Sequence, residues 1–90
     1  MLQKIFDGAT ADGDSLVVDH GGGEVEVIVA GGLGGGTVTA KALYAGTETW
    51  VPLDGGTWTA AMIKILKTVR PCQIRLTLSS ATSATLDAWI

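Results

Sequence analysis

The sequence predicts an all-β fold, a compact antiparallel β-sandwich or small barrel of seven to eight short strands. Three observations carry the prediction. From residue 38 onward apolar and polar residues alternate in short runs (TVTAKALY, TWVPL, WTAAMIKIL, QIRLTLS, ATLDAWI), and period two is the signature of a half-buried strand. The runs are separated by Gly, Thr and Ser, the residues that build turns. Ninety residues with thirteen glycines, one Phe and one Tyr leave Val, Ile, Leu, Ala and three tryptophans to fill one core. A domain of this size buries only about 60–65% of the surface its unfolded chain exposes, so residues 1–90 form a single β domain.

Along the chain, LQKIF within residues 1–6 is either a first strand or an N-terminal arm. The acidic, turn-rich DGATADGD follows, and SLVVD is a further short strand before the break at Gly21, Gly22 and Gly23. Residues 24–30 alternate cleanly: Val25, Val27 and Val29 share one face, Glu24, Glu26 and Ile28 the other. The GGLGGG of residues 31–36 is expected to be the flexible tip of a long hairpin with residues 37–44. There Val38, Ala40, Ala42 and Tyr44 oppose Thr37, Thr39, Lys41 and Leu43.

A turn at residues 45–48 leads into TWVPL. Its Pro52 lacks a backbone donor and belongs at a sheet edge or bulge. Asp54-Gly55-Gly56 reads as a hairpin turn, and residues 57–66 as one strand. Arg70-Pro71 closes it. A last hairpin sets Ile74, Leu76 and Leu78 against Leu86, Ala88 and Ile90, joined by SATS.

Chemistry is scarce. Nine acidic and six basic side chains give a net charge of −3, against the many cationic contacts that binding a phosphate backbone requires; no nucleic-acid partner is expected. No stretch approaches the ~20 apolar residues of a membrane span, and MLQKIFDG holds no apolar run of signal-peptide length. The expectation is a chain made in the cytoplasm.

Cys72 is the single cysteine, which excludes an intrachain disulfide or a thiolate cluster within one chain; its apolar setting suits a small buried hydrophobe. GGLGGG contains no GxGxxG and lacks the GK[ST] of a phosphate loop. Asp7, Asp12, Asp14 and Asp19 miss the spacing of a calcium loop. Ser15, Asp19 and His20 cannot converge as a triad, because neighbours on a strand point to opposite faces. Glu24 and Glu26 read as a solubilising edge. No catalytic residue, metal site or cofactor is expected, and the chain is read as not an enzyme.

The alternation leaves Trp89, Leu43 and Ile28 facing outward, with Trp58 on a face shared by Met62 and Lys64. That is more apolar surface than a monomer usually exposes, so either some strands are buried on both faces or in a register shifted by one, or an interface lies here. The interface expected takes Trp58 and Trp89 from these faces, and Met1, Leu2, Ile5, Phe6 and Leu33 from their place in the N-terminal arm and the 31–36 loop. Trp89 leads, because tryptophan concentrates interface energy.

YAGTETWVPL at residues 44–53, a further strand, and VRPCQIRLTLSSATSATLDAWI at residues 69–90 resemble the small β-sandwich structural proteins of tailed bacteriophages. There a GT..W..L hairpin precedes an R…IR…T…S…T hairpin, and FDGATADG at residues 6–13 is similar to their starts. The resemblance implies a capsid decoration or cement protein. Such proteins are often homotrimers on the exterior of the virion, bound to a separate major capsid protein. The alternatives are a carbohydrate-binding or host-attachment module that uses Trp50, Trp58 and Trp89 as a stacking platform, and a ring-forming head-completion or tail component.

Overall fold

A computed structural model describes residues 2–90 and shows two antiparallel sheets, with strands as its only regular secondary structure. The nine strands are β1 (Lys4–Ala9), β2 (Gly13–Asp14), β3 (Val18–His20), β4 (Gly23–Gly32), β5 (Thr37–Tyr44), β6 (Val51–Trp58), β7 (Met62–Thr68), β8 (Cys72–Ser79) and β9 (Thr85–Trp89). The first sheet has the order β1-β9-β4-β7; the second has the order β2-β8-β5-β6, with β3 pairing β8 on the same side as β2. The fold is a small β-sandwich.

Alternation built these layers as expected at most positions. Val27, Val29, Leu86 and Ala88 of the first sheet and Val38, Ala40, Leu76 and Leu78 of the second are buried and pack as one cluster. A second, smaller cluster gathers Ala42, Cys72 and Ile74 toward one end of β5 and β8. Every one of these side chains occupies the inner parity of its strand, which is what burial of one face per sheet requires.

Pairing is less local than the sequence suggests. Residues 31–36 do not tip a hairpin: β4 lies in the first sheet and β5 in the second, and the glycine run carries the chain between them. Nor is it a loose loop. Gly31 adopts φ +85° and Gly34 φ +62°, with the Thr85 and Thr82 carbonyls so close that a Cβ would collide with them. Leu33 is buried between them in sequence, and the Thr82 amide donates to the Gly34 carbonyl at 2.8 Å.

Likewise β8 and β9 do not form the expected last hairpin. They stand in opposite sheets, and their apolar faces meet across the core. The Asp54-Gly55-Gly56 turn is absent too. These residues lie inside β6 as a bulge, four residues between Pro52 and Thr57 standing opposite Ala40 alone, since Lys41 pairs Pro52 and Thr39 pairs Thr57. Gly56 is buried there against Ala40 and Leu66, where a side chain would be crowded. Pro52 sits on an edge strand, as its missing donor demands. The predicted strand 57–66 breaks at residues 59–61, where the chain passes from β6 to β7 and changes sheet.

Residues 4–6 belong to a strand and not to a free arm. β1 pairs with β9 through Lys4–Trp89 and Phe6–Ala88, with a bulge that lets Ile5 and Phe6 both reach the core. Glu24 and Glu26 stand on β4, an inner strand of the first sheet, so they solubilise a face rather than an edge.

Candidate functional site

The acidic N-terminal stretch ties loops together. The Asp12 carboxylate accepts from the Ser80 and Ala81 amides at 3.0 and 2.8 Å. These two contacts clamp the turn in which Ser80 takes φ 58°. Asp14 accepts from the Thr77 hydroxyl at 2.7 Å and lies 3.5 Å from the Arg75 guanidinium. The Ser15 hydroxyl accepts from the Leu76 amide at 2.8 Å and donates to the Leu16 carbonyl at 2.9 Å, so it extends the ladder between β2 and β3. Among the described residues no three of His, Cys, Asp and Glu are grouped to hold a metal ion. No helix of the described residues is long and apolar enough to cross a membrane.

One open groove of ≈ 420 Å³ lies at the end of the second sheet, lined by Asp19, His20, Leu43, Tyr44, Glu48 and Cys72 among others. The His20 Nε2 is 3.3 Å from the Gly23 carbonyl oxygen. Burial pushes the Cys72 thiol up, partly opposed by a hydrogen bond with Thr68. The sulfur is therefore protonated at neutral pH and a poor nucleophile.

The chemistry of the surface concentrates instead on the outer face of the first sheet. On β7 the isoleucines point away from the core: Ile63 is 59% and Ile65 is 64% exposed. The register sets Ile63 beside Ile28 on β4, and Ile28 beside Trp89 on β9. These residues make an apolar band across three strands. Charged rows flank it. Lys67 stands opposite Glu24 and Ile65 opposite Glu26. On the far side the Lys4 ammonium lies 5.2 Å from the Trp89 ring centroid and bridges Asp7 at 3.0 Å and Asp87 at 3.4 Å.

Those carboxylates raise the Lys4 pKa, Asp7 most. The Asp87 pKa is lowered, chiefly because its Oδ1 accepts from the Gly8 amide at 2.8 Å and then because of Lys4. An apolar centre with a charged rim is the anatomy of a protein interface.

Leu66 and Thr68 fill the inner side of β7 and turn its isoleucines outward, and Lys64 can share that inner side. Its amine points to the open side of the sandwich, donates to the Gly55 and Thr57 carbonyls at 3.3 and 2.5 Å, and lies 5.4 Å from the Trp58 ring centroid. A lysine on an edge strand can bury its stem and still satisfy its charge on carbonyls. Trp58 beneath it is 1% exposed and donates from Nε1 to the Met62 carbonyl at 3.0 Å.

Of the residues predicted to form an interface, Ile5, Phe6, Leu33 and Trp58 are core and have no surface to offer. Leu2 is exposed, and Trp89 is half-buried within the band; Met1 lies outside the described residues. Ile63 and Ile65 were missed, because an Ile-Lys-Ile alternation ordinarily reads as isoleucines in and lysine out. The platform of three tryptophans does not form. Trp58 is interior, Trp50 lies 4.4 Å from the Arg75 guanidinium on the outer face of the second sheet, and Trp89 belongs to the first.

No protein-family model matches the chain, and neither a curated protein nor a solved structure matches it.

Proposed function

We propose that the chain is a non-enzymatic structural protein of a phage virion, a capsid decoration protein that attaches to the exterior of the head and stabilises the lattice of the major capsid protein. The apolar band of Ile63, Ile65, Ile28 and Trp89 on one outer sheet face carries the reading. The resemblance of residues 44–53 and 69–90 to phage β-sandwich proteins supports it.

Such a protein works by binding energy alone. Burying apolar surface contributes about 25 cal/mol per Å², so a subunit that covers part of its band against neighbours raises the free energy needed to separate them. Repetition over a lattice turns weak contacts into avidity. A rigid two-sheet body whose connecting loops are pinned, as residues 31–36 are by Thr82, loses little entropy on docking. Assembly with further copies of itself belongs to the same reading.

The test uses heads of the phage that encodes the chain, prepared without it. Purified protein is expected to bind at fixed stoichiometry and to raise the temperature at which the heads release DNA. Ile65→Lys, at an exposed position, is expected to keep the fold and lose attachment. Attachment equal to the parent's would refute the assignment of this face.

A further inference from the structure

The outer face of the first sheet is complementary to itself. On the central strand β4 the outward sequence is Glu24, Glu26, Ile28; on the neighbouring edge strand β7 the residues level with them are Lys67, Ile65, Ile63. The row of Glu24 and Lys67 therefore carries opposite signs on the two strands, and the row of Ile28 and Ile63 carries an isoleucine on both. Among the described residues neither Glu24 nor Lys67 is held in an ion pair with another side chain, and both are exposed.

We propose that this face is covered by the same face of a second copy, related by a twofold axis that runs parallel to the strands between β4 and β7. The proposal rests on the reading of this face as the chain's assembly surface, and it names the occupant. A twofold contact is isologous, so each residue meets the partner of its own row. Rotation about that axis lays β4 of one copy on β7 of the other with the rows matched. Glu24 then faces Lys67 of the second copy, and Lys67 faces its Glu24. Ile28 faces Ile63 and Ile63 faces Ile28.

Glu26 meets Ile65, one side-chain row from the Lys67 of the second copy, toward which its carboxylate can lean. Trp89, beside Ile28 on β9, flanks the contact over the edge of the other copy's β7. Two of the three rows match, Glu24 with Lys67 and Ile28 with Ile63; they are cross-strand pairs within one copy, and the twofold uses each of them a second time between copies.

Edge-to-edge pairing through β7 is the competing way to join two copies. Lys64 disfavours it: an inward-pointing charge on an edge strand, held to the Gly55 and Thr57 carbonyls, obstructs strand addition. The contact is therefore between faces, with strands roughly aligned as stacked sheets are.

Three strands of about seven residues, at ~4.8 Å between strands and ~3.4 Å per residue, span roughly 340 Å² of sheet. That is below the roughly 800 Å² per partner of a stable complex. The expected dimer is weak, with a dissociation constant on the order of 100 µM. The stoichiometry this register supports is two, where the phage resemblance implies three.

Sedimentation equilibrium of the full chain from about 10 µM to about 1 mM should show a monomer passing to a dimer. Glu24→Lys brings two lysines together at each charged contact of a homodimer, and Lys67→Glu brings two glutamates together. Each variant alone should dimerise about tenfold more weakly, from the loss of two surface pairs and the gain of two repulsions. An equimolar mixture of the two variants should recover dimer, because the E24K copy presents lysine at both positions of the row and the K67E copy presents glutamate at both, so every charged contact between them is again a pair of opposite sign. Both positions are exposed, so the variants should stay folded; each sets like charges opposite one another across β4 and β7 of its own copy and should melt only slightly below the parent.

A chain that stays monomeric, a trimer, a dimer indifferent to the reversals, or a mixture without recovery would each overturn the proposal. If the parent is monomeric while Ile65→Lys still abolishes attachment to heads, the second copy is refuted and the assembly surface stands. If Ile65→Lys changes neither mass nor attachment, both are refuted.

Discussion

Replacing Trp58 by alanine separates a core tryptophan from a surface one, because the two placements predict effects that differ severalfold. The side chain is 1% exposed, beneath the Lys64 ammonium and within the main core cluster. A tryptophan buries about 150–250 Å², which at ~25 cal/mol per Å² amounts to about 4–6 kcal/mol. This is an upper figure, since unfolded chains already bury some of that area. Alanine retains part of the burial, and the cavity it leaves restores part of the loss, so about 3–5 kcal/mol is expected.

The hydrogen bond from Nε1 to the Met62 carbonyl adds little, because that carbonyl lies on an edge strand where water can replace the indole. Ninety residues support a total stability of roughly 5–13 kcal/mol, so the variant should be close to unfolding. The assay is urea denaturation followed by far-ultraviolet circular dichroism. At a slope of ~1.5 kcal/mol per molar the midpoint should fall by roughly 2–3 M with the slope unchanged. Trp58→Phe keeps a ring in place and should lose only about 1–2 kcal/mol. A Trp58→Ala midpoint within about 0.5 M of the parent's would refute the buried placement and return Trp58 to the surface, as its alternation with Met62 suggested.

Three further outcomes are expected. Gly31→Ala puts a Cβ against the Thr85 carbonyl at φ +85° and should destabilise by roughly 2 kcal/mol or more, read as a melting temperature lower by about 10 °C. Asp12→Ala removes the acceptor for the Ser80 and Ala81 amides and should cost about 1 kcal/mol in thermal unfolding, with faster amide exchange confined to residues 80–84. The Asp87 pKa is lowered in the fold, so its contribution is present above about pH 4, its unfolded value, and is lost as pH falls through the lower folded value. The Lys4 pKa is raised, so its share is present below the unfolded value and lost as pH rises through the higher folded one. Melting temperature against pH should fall at both extremes, and Asp87→Asn should blunt the acid limb; an identical acid limb would show that this clasp does not stabilise β1.

Much of this was legible in the sequence, and the reason is local. Successive side chains on a strand point to opposite faces, so period two alone assigned Val27 and Val29, Val38, Ala40 and Ala42, Ile74, Leu76 and Leu78, and Leu86 and Ala88 to the interior. Those assignments survive whether a short connection folds back beside its own strand or crosses to the opposite sheet, since either way the apolar faces meet.

Which of the two occurs is set by partners far away in the chain. β4 is held by β7 and β9, and β8 by β2, β3 and β5. The loops at 31–36 and 80–84 are therefore crossings, and among the described residues only β5 and β6 are sequential strands paired with each other. The same nonlocality hid the outer face. Ile63 and Ile65 stand outward because Leu66 and Thr68 fill the inner side of β7 and Lys64, on that same side, finds carbonyls on β6, and no window of sequence around MIKIL contains that information. Residue-to-face parity was determined by the sequence itself, because it is a property of a single extended strand. Sheet membership, and with it the apolar band and its matched charges, was decided only in the tertiary structure, where backbone pairing between distant segments selects among connections that are locally equivalent.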